Sequence, residues 1–340
     1  MHESPSAITI TGVDLHDGTI NKVGETYYMY GTMYGCGFNW GVHGTPWCGF
    51  GVSKSTDMRS WTQPKLLFSP DEVNPWSGLT WKQECGGKGH GCFNPRMIQR
   101  TGWGRNDGAS ILWFNSPYAF ATSGANAYNV MGCNSPEGPC GRAAGKPFGS
   151  YNKPRMTQCA ANGDFSIVRD SWRNPVLFCT APGSSAINSE RLDWNGANGA
   201  GEGLKGLAGL KGIESPGVWK DPRSGRYVMT YSDPNCGYCT GTGTGYAVGS
   251  SLTGQFEPPK NLGFSPPATG RRAFSATSCG GQPRTVTVLD GQPWQWIDLW
   301  TGERNQARAG IRLEPLNYAP NGGQAGDGGV WKTEVGPYQC

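Results

Sequence analysis

A short two-strand module recurs along this chain, and its repetition limits the possible folds more than any other feature. Copies begin at Asp17, Asn94, Gly163 and Glu214, and a weaker fifth copy begins at Gly280. Each copy has a small or polar start, a short apolar strand, a Gly/Asp/Asn turn and a second strand rich in Tyr, Trp, Phe and Val. Repeated strand pairs without helical periodicity are typical of propeller blades. The sequence therefore predicts an all-β fold, a five-bladed β-propeller.

Acidic residues stand at the start of three of these copies. The first strand of each propeller blade lines the central channel. Asp17, Asp164 and Glu214 are therefore expected to converge on one axis from three blades. Three carboxylates in one polar funnel favour glycoside hydrolysis, which uses a pair of carboxyl groups as acid and base. Asp17 and Asp164 each adjoin a glycine and could instead be turn residues, whereas Glu214 opens an apolar strand and has no evident structural task.

The composition agrees with one disulfide-rich β domain. The 340 residues include 54 Gly and 25 Pro, which many tight turns explain, and only 16% are charged. We expect one catalytic domain over residues 8–340, preceded by a short extension over residues 1–7. The net charge of +4 is unclustered, and no apolar run approaches the roughly 20 residues of a membrane span. We therefore expect no nucleic-acid partner, no membrane partner and a monomer.

The twelve cysteines indicate in which cellular compartment the protein works. Five pairs are close in sequence, and Cys279 could close onto Cys340. An even number of cysteines with few histidines favours disulfides and a secreted protein, although spacing alone leaves the connectivity open. The alternative is a metal at the C-x-x-C of Cys236 and Cys239, but zinc needs further ligands. The first residues lack the apolar region of a signal peptide, so we expect a mature form with an added Met.

Several motifs together resemble family 43 of the glycoside hydrolases. They are His16-Asp17-Gly18-Thr19-Ile20 with Tyr27-Tyr28-Met29-Tyr30-Gly31-Thr32, the stretch 53–62, Gly163-Asp164-Phe165-Ser166-Ile167, and Ile213-Glu214-Ser215-Pro216-Gly217-Val218. The resemblance covers the chain from about Asp14 to Tyr318. It implies a five-bladed propeller that removes arabinofuranosyl, xylosyl or galactosyl units with inversion of the anomeric configuration.

The same resemblance implies the roles of the three acids. Asp17 would be the general base, Glu214 the general acid, and Asp164 the residue that tunes the acid. Glu214 must then be protonated near neutral pH, well above the pKa of about 4.3 of a free Glu. A neighbouring carboxylate and partial burial both raise the pKa of a carboxyl group. We therefore expect a raised pKa at Glu214.

The substrate is less constrained. The second copy opens with Asn94-Pro95-Arg96, which is similar to a phrase of the exo-β-1,3-galactanase branch, where an acidic residue contacts the sugar at the place of Asn94. That branch commonly lacks the first-blade Asp, whereas this chain keeps Asp17. We expect an exo-acting enzyme that releases arabinofuranosyl or galactosyl units from plant or microbial polysaccharide. Exo-galactanase, galactofuranosidase and β-xylosidase activities stay open. A carbohydrate-binding propeller without catalysis and a structural or protein-interaction propeller stay open as well.

Further polar residues begin the expected channel strands and are candidates for substrate binding: His16, Asn94, Arg96, Gln282 and Arg284. A salt bridge or a turn explains the two arginines equally well. Four tryptophans in Gly-rich loops could stack on a sugar: Trp40, Trp47, Trp76 and Trp81. Some relatives hold calcium in the channel with a His of the last blade, but no His follows His90 here. We therefore expect no cofactor, and a structural calcium has no support in the sequence.

Overall fold

The computed structural model describes residues 5–86, 91–99, 110–116, 128–141, 153–160, 163–169, 174–222, 224–257, 271, 273–317 and 338–340. Its nineteen strands, in chain order, are β1 (Ile8–Ile10), β2 (His16–Val23), β3 (Thr26–Thr32), β4 (Phe50–Ser55), β5 (Lys65–Leu66), β6 (Phe93–Gln99), β7 (Ser110–Asn115), β8 (Tyr128–Cys133), β9 (Phe165–Val168), β10 (Val176–Ala181), β11 (Ala186–Arg191), β12 (Glu214–Lys220), β13 (Tyr227–Asp233), β14 (Gly243–Gly249), β15 (Phe256–Glu257), β16 (Ala273–Ser275), β17 (Gln282–Leu289), β18 (Gln292–Leu299) and β19 (Gly310–Pro315). One α-helix, α1 (Trp81–Gly86), lies between β5 and β6.

These strands form five antiparallel sheets, one for each copy of the module. Blade 1 is β2 to β5, blade 2 is β6 to β8, and blade 3 is β9 to β11. Blade 4 is β12 to β15 with β16 beside β14, and blade 5 is β17 to β19 completed by β1. The prediction of a five-bladed β-propeller from the repeated module is confirmed.

The two ends of the chain meet in blade 5. Strand β1 pairs with β19, so that Ile8 lies opposite Leu313 and Ile10 opposite Ile311. The disulfide between Cys279 and Cys340 joins the last residue to the start of the same blade. An N-terminal strand that completes the last blade closes the ring of sheets and covers an edge that would otherwise be unpaired.

The middle strand of a blade is apolar on both sides because it packs between two neighbouring blades. In β7, Ile111 and Trp113 face the cluster shared with blade 3, while Leu112 and Phe114 face the cluster shared with blade 1. Successive side chains of a strand point to opposite faces. The continuous apolar run Ile111–Phe114, which predicted a buried second strand, is therefore explained by two apolar interfaces.

Five such clusters fill the five spaces between adjacent blades. The cluster between blades 1 and 2 is rich in aromatic rings, with Phe50, Phe68 and Phe114 within about 6 Å of one another. The cluster between blades 5 and 1 includes Trp294 and Trp296. Most aromatic residues of the described chain therefore stabilise the packing of sheet on sheet.

All twelve cysteines form disulfides. The pairs are Cys36–Cys48, Cys85–Cys92, Cys133–Cys140, Cys159–Cys179, Cys236–Cys239 and Cys279–Cys340. Disulfides were favoured from the cysteine count, and the structure confirms them. The metal alternative at Cys236 and Cys239 is wrong, because these two sulfurs are bonded to each other.

Four of the five channel-lining strands begin with a break in register. The ladder shifts after His16 in β2, after Phe93 in β6, after Glu214 in β12 and after Pro283 in β17. Bulges of this kind bend a strand and turn a side chain out of its regular direction. Here they lie at the first residues of blades 1, 2, 4 and 5.

Among the described residues, no helix has the length and apolar character needed to cross a membrane.

Candidate active site

Several side chains of the site come from the bulged starts of the channel strands. Asp17, Asn94 and Ser215 occupy equivalent places and have φ angles of 49°, 58° and 57°. This left-handed conformation is uncommon outside glycine, and Asn and Asp are enriched in it. Gly18 follows Asp17 in β2, where a Cβ would lie 1.7 Å from the carbonyl oxygen of Tyr30. The local sequence thus holds polar side chains in a conformation that regular strand residues do not adopt.

Asp17 lies near the start of β2 in blade 1 and is 1% exposed. Its carboxylate accepts hydrogen bonds from the backbone N–H of Thr32, at 3.3 Å, and of Asn94, at 3.1 Å. Burial raises the pKa of Asp17 to about 6, while the positive charge of Arg284 opposes this rise. At pH 7 the group is therefore mostly a carboxylate, with a basicity close to that of a general base.

Asp164 carries three contacts that stabilise its negative charge. Asn94 Nδ2 donates to it at 3.0 Å, Ser215 Oγ donates at 2.5 Å, and Arg284 Nη1 forms an ion pair with it. Burial alone would raise the pKa of Asp164, but Arg284, Ser215 and Asn94 together lower it. Asp164 is therefore a permanent negative charge at neutral pH.

Glu214 directly precedes Ser215, which bonds to Asp164. One of its carboxyl oxygens, Oε1, accepts hydrogen bonds from Cys236 N and from Gln282 Nε2, each at 2.8 Å. Burial raises the pKa of Glu214 to about 7, and the negative charge of Asp164 adds to the rise. The raised pKa expected from the sequence is thus present, with burial as its larger cause. At pH 7 this carboxyl group can give a proton away.

Arg284 is the electrostatic centre of the site. Its guanidinium pairs with Asp164 and lies 3.2 Å from Asp298 Oδ2. Burial would lower the pKa of Arg284, but the charges of Asp164 and Asp298 outweigh this effect and raise it. The face of Trp300 lies 5.7 Å from the guanidinium carbon. Arg284 is thus a fixed positive charge that keeps Asp164 ionised.

Arg96 is committed to contacts within the protein. It donates to the carbonyl oxygen of Asp17 at 2.7 Å, to that of Phe165 at 2.9 Å and to Asn94 Oδ1 at 3.1 Å. These contacts join the channel strands of blades 1, 2 and 3. The side chain is 4% exposed, and its role in this structure is to fix Asp17 and Asn94 in place.

The other two candidates for substrate binding are also buried. His16 is fully buried, its Nε2 lies 3.2 Å from Asp14 Oδ1, and its ring lies against Tyr34 and Trp300. Gln282 bonds to Glu214 and, through its carbonyl oxygen, to Trp300 Nε1 at 2.7 Å. The structure therefore brings all eight predicted site residues to one end of the channel. Contact with a substrate stays a prediction for each of them.

Four residues of the site were not predicted from the sequence: Ser215, Tyr238, Asp298 and Trp300. Asp298 lies on β18, is fully buried, and accepts the backbone N–H of Asp17 at 3.0 Å. In the sequence, Asp298 was recognisable as an acidic residue inside an aromatic strand. An acid in such a strand is buried, and a buried carboxylate needs a charged partner. Tyr238 reaches from blade 4 to Tyr34 of blade 1, with 2.7 Å between the hydroxyl oxygens. No local pattern indicates that contact.

The four tryptophans proposed to stack on a sugar divide into two groups. Trp47 and Trp81 are fully buried in the cluster between blades 1 and 2, so that prediction is wrong for both. They fill apolar space between sheets, which is the commoner task of a large ring. Trp40 and Trp76 are 40% and 57% exposed, and Trp40 lies 5.0 Å from Tyr238 between ring centroids. Among the described residues, no group of His, Cys, Asp and Glu is arranged to hold a metal ion.

A scan against protein-family models gave no match, and a search of curated proteins gave none either. Solved structures share the fold. The exo-β-1,3-galactanase of Phanerochaete chrysosporium with β-1,3-galactotriose is 18% identical, with a TM-score of 0.64, and the match covers 92% of this chain and 64% of that chain. A family 43 β-1,3-galactosidase with galactodeoxynojirimycin is 14% identical, with a TM-score of 0.67 and coverage of 94% and 96%.

The exo-β-1,3-galactanase of Clostridium thermocellum is 17% identical, with a TM-score of 0.64, and the match covers 92% of this chain and 63% of that chain. This chain thus spans somewhat less than two thirds of the length of the two galactanases. At these identities the likeness shows a shared fold, and it agrees with the resemblance to family 43 found in the sequence.

Proposed function

We propose that the chain is an inverting glycoside hydrolase. The observation that carries the proposal is the pair of carboxyl groups at one end of the channel, Asp17 with a pKa of about 6 and Glu214 with a pKa of about 7. At a pH between these two pKa values, Asp17 is mostly charged while Glu214 is mostly protonated. Glycoside hydrolysis uses two carboxyl groups whose environments make one a general acid and the other a general base.

In this mechanism Glu214 donates its proton to the glycosidic oxygen of the leaving group. Asp17 accepts a proton from the water that attacks the anomeric carbon from the opposite face of the sugar ring. Attack from the opposite face inverts the anomeric configuration. Asp164 stays charged, and its repulsion keeps the proton on Glu214 until the leaving oxygen becomes basic.

For the substrate we propose β-linked galactosyl units, released from a chain end of a plant or microbial polysaccharide. The support is the fold shared with galactan-cleaving enzymes. The sequence also predicts arabinofuranosyl release as an alternative to galactosyl release, and the same assay tests both. We further propose a secreted monomer without a cofactor, since six disulfides form and persist in oxidising compartments.

A second candidate function is carbohydrate binding without catalysis. Asp17 favours it, because the side chain is 1% exposed and its two oxygens already accept backbone hydrogen bonds. A general base must come within hydrogen-bond reach of the attacking water. If Asp17 keeps these partners when a sugar is bound, the propeller holds the sugar but does not cleave it.

The test is hydrolysis of aryl galactosides, arabinofuranosides and xylosides together with β-1,3-galactan, arabinogalactan and arabinan. Product anomers are followed by proton NMR. Wild type is compared with Glu214→Gln and with the control Glu257→Gln, an exposed Glu on the outer strand of the same blade. We expect an inverted sugar from wild type and the control, and a loss of at least about a hundredfold in Glu214→Gln.

Other results would change the proposal. Binding of a polysaccharide by all three proteins without product would support the binding propeller. Equal activity in wild type and Glu214→Gln would show that Glu214 is not the acid. Release of arabinose alone would retain the mechanism and replace the substrate.

A further inference from the structure

The amide of Gln282 is held in one orientation by two partners of opposite character. Its Nε2 donates to the carbonyl oxygen of Cys236 at 2.8 Å, and its Oε1 accepts from Trp300 Nε1 at 2.7 Å. An indole nitrogen can only donate and a backbone carbonyl can only accept. The hydrogen-bonding character of these two partners therefore assigns which amide atom is the nitrogen and which is the oxygen. Gln282 and Trp300 are 2% and 4% exposed, so water does not compete.

This orientation points an N–H of Gln282 at the acid. Gln282 Nε2 donates to Glu214 Oε1, which also accepts the backbone N–H of Cys236, each at 2.8 Å. An oxygen with two N–H donors has its lone pairs occupied and is a poor place for a proton. Among the described residues nothing donates to the other oxygen, Oε2. The proton of the neutral acid is therefore directed to Oε2.

We propose that Trp300 is a positioning residue that selects, through the amide of Gln282, the carboxyl oxygen of Glu214 that carries the transferable proton. The inference rests on the proposed function, in which Glu214 is the general acid. The indole N–H of Trp300 donates to Gln282 Oε1, and it acts on Glu214 through the amide that it fixes. Gln282, predicted from the sequence as a substrate contact, thereby becomes part of the support of the acid.

Loss of the indole N–H leaves the buried Oε1 of Gln282 without a donor. The amide is then held from its nitrogen side alone, by the Cys236 carbonyl and by Glu214 Oε1, so the N–H that points at the acid is less firmly fixed. Two effects follow for Glu214. Its proton is less strictly confined to Oε2, and its pKa rises, because the hydrogen bond from Gln282 that lowers it is weakened.

The experiment compares wild type, Trp300→Phe, Gln282→Met and the double variant. The matched control is Trp113→Phe, which also removes a buried indole donor, here one that bonds to Gly196 O at 2.9 Å in another part of the propeller. The pKa of Glu214 is measured by carbon-13 NMR of labelled Glu carboxyl carbons, assigned with Glu214→Gln. In parallel, kcat and KM are measured on the substrate that the panel identifies.

We expect each single site variant to raise the pKa of Glu214 by about 0.5 to 1 unit. We also expect kcat to fall about tenfold or more, with KM within about twofold. The double variant should match Gln282→Met, since two residues in one relay are not additive. An unchanged pKa in Trp300→Phe, or shifts that add in the double variant, would overturn the proposal. A pKa shift of the same size in Trp113→Phe would also overturn it.

A second measurement uses wild type alone, and it decides the matter even if Trp300→Phe does not fold. The indole N–H resonance of Trp300 should shift along the titration of Glu214, because the Gln282 amide joins them. A resonance that is unaffected through this pH range would contradict the relay. If wild type cleaves no substrate, the proposed function fails, while both NMR measurements still test whether Trp300 orients the amide.

Discussion

Asp164→Asn offers a sharp test of how the site sets the acidity of Glu214. The change removes the negative charge that, after burial, most raises the pKa of Glu214. It leaves Arg284, whose positive charge lowers that pKa. A neighbouring like charge raises a carboxyl pKa by about one unit or more. We therefore expect the pKa of Glu214 to fall from about 7 toward about 6.

The expected loss of activity depends on pH in a defined way. Activity follows the product of the charged fraction of Asp17 and the protonated fraction of Glu214. With a pKa of about 6 for Asp17, the product at pH 5 is almost the same in both proteins. A one-unit fall makes the product about fivefold lower at pH 7 and about ninefold lower at pH 8. The optimum moves to lower pH by about half a unit.

The assay is kcat/KM from pH 4.5 to 9 on the substrate released fastest in the panel. Asp193→Asn is the control, because Asp193 accepts the backbone N–H of Ala197 in the same part of the chain and lies outside the site. A uniform loss across the pH range would refute the reasoning and show that Asp164 acts by binding or orientation. An unmoved alkaline limb would refute it equally.

Three further predictions concern stability. Gly18→Ala should destabilise the fold severely in thermal unfolding, because the new Cβ would lie 1.7 Å from the Tyr30 carbonyl oxygen. Cys340→Ser, which opens the Cys279–Cys340 disulfide, should lower the free energy of unfolding in urea by about 2 to 4 kcal/mol. Glu214 binds its proton more tightly in the folded state, with a pKa of about 7 against 4.5, so its contribution to stability is full below pH 4.5 and is lost as pH rises to about 7. Relative to Glu214→Gln, wild type should therefore lose on the order of 3 kcal/mol over that range.

Each of these has a matched comparison. Gly237→Ala should be tolerated, since a Cβ there meets nothing within 4 Å. Opening Cys133–Cys140, which are seven residues apart, should cost less than opening Cys279–Cys340, because it closes a shorter loop. A stability difference between wild type and Glu214→Gln that does not change with pH would contradict the raised pKa.

Much of the fold was readable because its cause is local. The short apolar strands, the Gly and Asp turns and the fivefold repetition all predict strands and blades. The disulfides follow from the number of cysteines and the scarcity of histidines. Asp17, Asp164 and Glu214 were recognisable because each opens a copy of the module, and the structure places all three at one end of the channel.

Other predictions failed where the sequence does not distinguish burial from exposure. Trp47 and Trp81 lie in glycine-rich segments that resemble loops, yet both are buried between blades 1 and 2. Arg96 begins a channel strand, and its bonds to the carbonyl oxygens of Asp17 and Phe165 could not be read from the sequence, while its contact with a substrate stays a prediction. The partners of a long side chain depend on which strands surround it, and the one-dimensional pattern does not contain that information.

The sequence by itself determined the blade, the number of blades and the acids that start them, because these are properties of short segments repeated along the chain. Only the tertiary structure decided how acidic those residues are. Asp298 reaches Asp17 across 281 positions of sequence, and Gln282 reaches Glu214 across 68. A pKa depends on burial and on charges within a few ångströms. Both are set by closing the ring of blades, which brings the first and last channel strands side by side.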